Sequence, residues 1–153
     1  MILRWTTDEA SEDDLLLHLQ RVDADFIPPL SARVPLGAYA QRLRERARRE
    51  EAWSGDVLVA MVAGYVNHPG DDGYITNVSA LPAARGRGVV SRLLARWLDR
   101  AAAAGARSVG LHVHPDQAPA VRLYLRHGFR VVGQDGKGLH MVWAPAAGAA
   151  DPA

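Results

Sequence analysis

The stretch VLVAMVAGYV, Val57–Val66, is the feature that most limits what this chain can fold into. It carries no charge and is apolar at odd and even positions alike, so a strand formed from it has two faces that must be covered. Strands of this kind are typical of sheets with helices on both sides. The run is too short to cross a bilayer. A chain of 153 residues has the length of a single domain with a substantial core.

Composition excludes several classes of function. The formal net charge is +1, whereas nucleic-acid-binding domains carry a clear basic excess, so we expect no nucleic-acid partner. Cysteine is absent, which excludes disulfides, thiolate metal sites and a cysteine nucleophile. The opening MILRWTTDEASEDD turns acidic at once and lacks the basic flank and apolar run of a secretory signal. We therefore expect a cytoplasmic protein with no membrane partner.

The segments before the apolar run predict one strand and two helices. A short strand at Ile2–Thr6 is followed by Ser11, a helix-capping residue, and by an acidic first turn. A proline-rich connection, Phe26–Gly37, comes next. The segment AYAQRLRERARREEAW then predicts a second helix over 38–53, because its apolar residues recur at helical spacing.

The rest of the chain predicts strands alternating with helices. We expect strands at Tyr74–Leu81 and Ser108–His114, a helix from Val89, a helix capped by Asp116, and a closing hairpin of Phe129–Gly133 with Leu139–Trp143. The order β-α-α-β-β-β-α-β-α-β-β indicates an α+β domain around a mixed sheet, over residues 1–144. Residues 145–153 lack large apolar groups and are predicted to be a disordered tail.

The stretch ALPAARGRGVVSRLL, residues 80–94, sets two glycines among arginines between a strand and a helix. A helix start offers unpaired N–H groups and partial positive charge, and glycines let the backbone approach a phosphate. A P-loop is excluded because Val89-Val90 stands where Lys-Ser or Lys-Thr is needed. The dinucleotide-binding motif G-x-G-x-x-G is also excluded, because this stretch lacks the last glycine of the motif. Several phosphate-bearing ligands fit this stretch, and so does an ordinary turn.

A second segment, further along the chain, reduces the number of ligands to consider for this stretch. Arg85-Gly86-Arg87-Gly88-Val89-Val90 resembles the Q/R-x-x-G-x-G/A signature of the GNAT superfamily of acyl-CoA-dependent N-acyltransferases, and PDQAPAVRLYLRHGF resembles that superfamily's N-x-x-A-x-x-x-Y helix with its G-F strand. The resemblance is close over roughly Tyr74–Gly133. It implies a three-layer α/β arrangement, with helices on both faces of a mixed, mostly antiparallel central sheet. It also implies an enzyme with acetyl-CoA as co-substrate and no metal.

The resemblance carries over to particular cofactor-binding residues. The end of the strand Tyr74–Leu81 would pair its backbone with the pantetheine arm of coenzyme A. The backbone amides of the signature loop, Arg85–Val90, would hold the pyrophosphate of the same molecule. Gln117 stands where asparagine is usual, and Val90 where glycine or alanine is usual. The cofactor-binding residues implied are Val78, Ser79, Ala80, Arg85, Gly86, Arg87, Gly88, Val89, Val90, Ser91 and Gln117.

Acyl transfer to an amine requires a base and an acid. Tyr124 stands at the family's tyrosine position and is the candidate acid near the coenzyme sulfur; the alternative is a core tyrosine that packs with Val121 and Leu125. His112 stands where relatives with an L-E-V strand carry a glutamate base. Imidazole titrates near neutrality, so we expect His112 to take the amine proton, directly or through water. The alternative is a hydrogen-bonded strand histidine.

Other polar residues receive smaller roles. His114 is expected to be structural, and a metal site built from His112, His114 and Asp116 lacks a fourth ligand. Asn77 shares a strand face with Ser79 and is a candidate substrate contact. No chemistry is assigned to His18, His68, His127 and His140.

The acceptor site of the family is built from the first two helices and their connection, here Phe26–Tyr39. We expect the acceptor to be a primary amine of a small molecule. A protein N-terminus, an acyl group longer than acetyl, and a non-catalytic acyl-CoA-binding module are the alternatives. The closing hairpin could pair two copies in a homodimer.

Overall fold

The computed structural model describes residues 2–146. Its strands and helices are β1 (Arg4–Thr7), α1 (Glu12–Val22), α2 (Leu36–Arg46), β2 (Arg48–Ser54), β3 (Val57–Tyr65), β4 (Asp72–Ala80), α3 (Val89–Ala103), β5 (Ser108–Val113), α4 (Ala118–Arg126), β6 (Arg130–Asp135) and β7 (Gly138–Trp143). The predicted order β-α-α-β-β-β-α-β-α-β-β matches these elements, although no predicted segment was a strand at the place of β2. Most of the predicted tail, residues 147–153, lies outside the described residues, and the single-domain boundary stays a prediction.

The capping residue was predicted correctly for one helix and wrongly for another. Ser11 caps α1 as predicted: its side chain accepts the N–H of Asp14, and the Asp14 carboxylate accepts the N–H of Ser11. The prediction of Asp116 as the cap of α4 is wrong, because the cap residue is Gln117. Asp116 lies one residue earlier, in a turn where its N–H donates to His114 Nδ1 at 3.0 Å.

The predicted second helix over 38–53 is also wrong in its second half. The helix ends at Arg46, and residues 48–54 form the strand β2, buried over most of its length. Its charged side chains are satisfied inside the protein: Arg49 Nε lies 3.0 Å from Glu51 Oε2, and Arg49 Nη1 donates to Leu43 O at 2.7 Å. Glu51 also accepts the N–H groups of Glu9 and Ala10. Paired charges thus occupy strand positions that usually hold apolar residues.

Within residues 2–146 the strands form one seven-stranded sheet in the order β1-β2-β3-β4-β5-β7-β6. The pairs β1–β2, β2–β3, β5–β7 and β6–β7 are antiparallel, and β4–β5 is parallel, with Asp72 opposite Ser108 and Tyr74 opposite Gly110. Seven strands in a mostly antiparallel open sheet, with four helices in the described part of the chain, confirm the predicted fold class.

The chain forms two compact units. The first combines residues up to Tyr65 with Asn77–Trp97. In it β3 is buried on both faces, as predicted from its sequence. Helices α2 and α3 contact opposite faces of β2, since Arg49 bonds to Leu43 O on α2 while its neighbour Glu50 pairs with Arg96 on α3 at 3.0 Å.

The second unit combines Val66–Thr76 with residues from Leu98 onward. Its buried apolar side chains come from β4, α3, β5, α4 and β7 and from the segments between them, and they include Val66, Ile75, Leu98, Ala101, Ala106, Val109, Leu111, Val113, Tyr124, Phe129 and Met141. In β5 Val109, Leu111 and Val113 are buried on one face, while on the other Gly110 is buried and His112 is only partly so. No helix within residues 2–146 is long and apolar enough to span a membrane, and a cytoplasmic location stays a prediction.

Candidate active site

The signature loop lies in the first unit, between β4 and α3. Gly86 and Gly88 both have positive φ angles, +73° and +72°, which side chains other than glycine rarely adopt. A Cβ added at either position would meet no heavy atom within 4 Å, so the backbone here faces open space. The loop thus combines a backbone that only glycine adopts easily with room for a ligand beside it.

The helix that follows the loop begins with groups that suit an anion. Val89 is buried and anchors the first turn, while Val90 and Ser91 are half-buried beside it. The first N–H groups of an α-helix have no partner within the helix and carry partial positive charge. Arg87 is exposed on the loop. These residues fit the pyrophosphate of coenzyme A, which they would hold through backbone N–H groups and nearby positive charge.

Arg85, whose side chain is about half exposed, supports the loop through hydrogen bonds. Its Nε and Nη2 atoms donate to the carbonyl of Ala80 at 3.1 and 3.0 Å, and Nη2 pairs with the Asp25 carboxylate. Its own N–H donates to Pro82 O. Arg85 therefore ties the loop to the end of β4 and to the segment after α1, a task that its place in the motif did not indicate.

The end of β4 is held by a histidine to which the sequence assigned no chemistry. His18 on α1 lies with Nδ1 3.0 Å from Leu58 O and Nε2 2.8 Å from Ser79 Oγ, and Ser79 Oγ lies 2.8 Å from Asn77 Oδ1. His18, Asn77 and Ser79 are all buried, whereas Val78 is half-buried. The position of His18 on the apolar stripe of α1, with Leu15 and Leu19, was the available sign of its burial.

In the second unit His112 is the centre of a polar cluster. Tyr74 Oη lies 2.8 Å from His112 Nδ1, and Asp135 Oδ2 lies 3.0 Å from Nε2. The His140 ring stacks on the His112 ring at 4.7 Å between centroids, with 13° between the planes. Tyr74, Asp135 and His140 are residues that the sequence analysis did not assign to the site. They come from three different strands, so no linear motif joins them.

The chemistry of these partners decides which ring nitrogen of His112 donates a hydrogen bond. A carboxylate only accepts hydrogen bonds, so Nε2 of His112 carries a proton and donates it to Asp135. When the ring is neutral, Nδ1 accepts the hydroxyl of Tyr74. The pKa of Asp135 lies below its usual range, chiefly because the Lys137 N–H donates to its carboxylate and also because of its bond to His112. A charged Asp135 orients the ring and would stabilise it once protonated.

Tyr124 is a buried residue of α4. Its ring packs against Phe129 at 5.8 Å between centroids, and burial raises the pKa of its phenol well above the usual range. The hydroxyl therefore holds its proton at neutral pH. Leu125, expected beside it in the alternative of a core tyrosine, is 50% exposed. Gln117 caps the same helix, half-buried, and donates its N–H to His114 O.

The sequence model of the Acetyltransferase (GNAT) family matches residues 19–129. This chain belongs to that family. The GNAT match covers both the signature loop and the helix that carries Tyr124. No group of three His, Cys, Asp or Glu side chains in the described part of this GNAT chain is arranged to hold a metal ion.

Individual relatives agree with the GNAT assignment. Mycothiol acetyltransferase of Brachybacterium faecium is 37% identical in an alignment of 91 residues, which covers 52% of this chain and 28% of that protein. The chain thus matches less than a third of the length of that relative. The structure of the PaiA N-acetyltransferase of Thermoplasma acidophilum in complex with coenzyme A has a TM-score of 0.73 at 12% identity, with 95% of this chain and 100% of that chain covered. Aminoglycoside 6'-acetyltransferase type Ii has a TM-score of 0.75 at 14% identity, with 95% and 99% covered. At such identities the two structures show the GNAT fold alone.

Proposed function

We propose that this GNAT protein transfers the acetyl group of acetyl-CoA directly to a primary amine of a small molecule. The observation that favours catalysis over binding alone is the chain Tyr74–His112–Asp135, in which one imidazole has a carboxylate on one nitrogen and a phenol on the other. The two hydrogen bonds fix the orientation of the ring, and a positioned imidazole is the side chain that most often serves as a general base.

The proton from the amine is assigned to His112. Acetyl transfer forms a bond between the amine nitrogen and the acetyl carbon and breaks the carbon–sulfur bond, so the amine loses one proton and the sulfur gains one. Tyr74 gives its hydroxyl proton to His112 Nδ1 while its oxygen takes a proton from the amine. The charged Asp135 stabilises the imidazolium that results.

The proton for the departing sulfur is assigned to Tyr124, which stands at the tyrosine position of the family motif. Burial raises the pKa of this phenol, so the hydroxyl is protonated at neutral pH and has a proton to donate to the departing sulfur. The signature loop and the backbone of Val78–Ala80 hold the cofactor in this proposal. The small-molecule acceptor is supported by the relative named mycothiol acetyltransferase.

Calorimetric titration with acetyl-CoA, with NAD as the control ligand, tests the cofactor. We expect micromolar binding of acetyl-CoA alone, or about −8 kcal/mol. A panel of small amines and of peptide N-termini is then screened for release of free thiol. Binding without thiol release on any amine supports the non-catalytic module instead, and release on peptides alone supports the protein N-terminus. Absence of acetyl-CoA binding overturns the proposal.

Three variants test the roles of the residues. His112→Ala and Tyr124→Phe should each lower kcat by roughly 10²–10⁴-fold while acetyl-CoA binds as before. Asp135→Asn should lower kcat less, because the ring keeps a hydrogen-bonding neighbour. His114→Ala is the matched control, since His114 lies just past the end of the same strand and bonds to Asp116 instead of to the cluster. Unchanged turnover in both His112→Ala and Tyr124→Phe would show that the proton assignments are wrong.

A further inference from the structure

Three buried polar side chains in the first unit form a chain that ends where the cofactor is proposed to bind. His18 is 1% exposed, Asn77 2% and Ser79 8%. His18 joins Leu58 O on β3 to Ser79 Oγ on β4, and Ser79 joins His18 to the Asn77 amide. Helix α1 is thereby linked through side chains to the last residues of β4.

The donor in each hydrogen bond of this series can be assigned by starting from Leu58 O. Leu58 O can only accept, so His18 Nδ1 carries a proton. Burial lowers the pKa of His18 to about 4, so the ring is neutral at neutral pH and Nε2 must accept the hydroxyl of Ser79. The Ser79 hydroxyl has one proton, which it donates to His18, so its oxygen must accept from Asn77. The Asn77 amide is therefore oriented with its N–H group towards Ser79. The oxygen and nitrogen of an asparagine amide are told apart by such hydrogen bonds.

One polar atom of the Asn77 amide stays unpaired in either orientation. Nδ2 of Asn77 is buried and has no hydrogen-bond partner among residues 2–146, and a turned amide gives that place to Oδ1. A buried polar atom without a partner is unfavourable for folding. An apolar side chain of similar size would avoid that cost, so stability does not account for an asparagine at this position.

We propose that His18 is a positioning residue, which through Ser79 and Asn77 holds the backbone of Asn77–Ala80 in the conformation that receives the pantetheine arm. The inference rests on the proposed function, which gives Val78–Ala80 the task of binding the cofactor. The neighbouring backbone is fixed by other groups: Arg85 holds Ala80 O, and Leu81 N donates to Val59 O at 2.8 Å. The hydrogen bonds from His18 through Ser79 to Asn77 support the backbone at Ser79 in the same way.

Two replacements of His18 separate its two hydrogen bonds. In His18→Gln the side-chain amide reaches the place of Nε2 and can still bond to Ser79, whereas in His18→Asn it reaches the place of Nδ1 and can bond only to Leu58 O. We expect His18→Asn to weaken acetyl-CoA binding at least tenfold and His18→Gln to weaken it less than threefold, at comparable losses in melting temperature. His68→Ala, in an exposed turn, is the control.

A second pair of variants keeps the test decisive if both His18 variants fold poorly. Asn77→Val removes the unpaired atom, so we expect an equal or higher melting temperature together with weaker acetyl-CoA binding. Ser79→Ala should fold and also bind acetyl-CoA more weakly. If the wild type binds acetyl-CoA and Asn77→Val and Ser79→Ala bind it equally well, the positioning role is refuted and the proposed function stands. If the wild type does not bind, the proposed function itself falls.

Discussion

His18 makes the stability of the protein depend on pH. Burial lowers its pKa in the folded state from 6.5 to about 4, so the unfolded chain binds a proton more readily. The stability that comes from a neutral His18 is present above pH 6.5 and is lost as the pH falls towards 4. The full loss is about 3 kcal/mol. Urea unfolding of the wild type between about pH 7 and 4 measures it.

The His18→Gln variant is the reference for that measurement, since glutamine does not titrate. The free energy of unfolding of the wild type should fall relative to that of the variant as the pH is lowered. Asp23 and Asp72 have lowered pKa values because of their hydrogen bonds to Ser31 and Arg107, and they affect both proteins alike at lower pH. A wild-type advantage that stays constant down to pH 4 would contradict the assignment.

Single residues of the site were predictable only where a local pattern marks them. The alternation of SVGLHVH puts His112 on the opposite face of β5 from Val109, Leu111 and Val113, and in the structure those three are buried whereas His112 is partly exposed. Its partners were not found, because Tyr74, Asp135 and His140 meet it only through the registers of β4, β6 and β7. A register is set by pairing between distant segments, and one sequence does not show that pairing.

At the scale of elements, β2 shows why one strand was taken for a helix. RREEAW has charged residues at consecutive positions, which is typical of a solvated helix face. In the structure Arg49, Glu50 and Glu51 are buried and satisfied by one another, by Arg96 and by neighbouring backbone. Partners that lie elsewhere in the chain made these charges compatible with burial, so hydrophobic periodicity could not identify the strand.

Loss of Arg49 should therefore be costly. Arg49→Met leaves the Glu51 carboxylate buried without its cation, and we expect it to lower the free energy of unfolding by about 3–5 kcal/mol. The double variant Arg49→Met with Glu51→Gln should recover part of the loss, since the glutamine oxygen can still accept N–H groups. Arg44→Met, exposed on α2, should change stability by less than about 0.5 kcal/mol. Chemical denaturation of the wild type and the three variants measures these differences in the free energy of unfolding.

The loop before α3 allows a matched pair of glycine substitutions. Gly88 has a φ of +72°, so Gly88→Ala should cost about 1–2 kcal/mol in stability and weaken acetyl-CoA binding by moving the loop. Gly37 in α2 also has open space around it but no positive φ, so Gly37→Ala should keep or raise stability and leave binding unchanged. Equal cofactor affinity in the two variants would argue against a role for the loop backbone.

At the scale of the whole molecule, the edge strand β6 bears on the predicted homodimer. It is the last strand of the sheet and is exposed along its length, with Val131 and Val132 at 48% and 44% exposure. We expect the protein to sediment as a dimer and Val131→Lys to sediment as a monomer. Val57→Lys, at an exposed position of β3, is the control. A wild type that is monomeric at every concentration tested contradicts the prediction.

Neither compact unit is a continuous piece of chain. Strand β4 changes units after Thr76 and helix α3 after Trp97, so each unit is assembled from segments that alternate along the sequence. A single crossover between two related genes anywhere within the domain therefore divides at least one unit. A single crossover therefore cannot replace one unit by that of a related protein without dividing at least one of the two units.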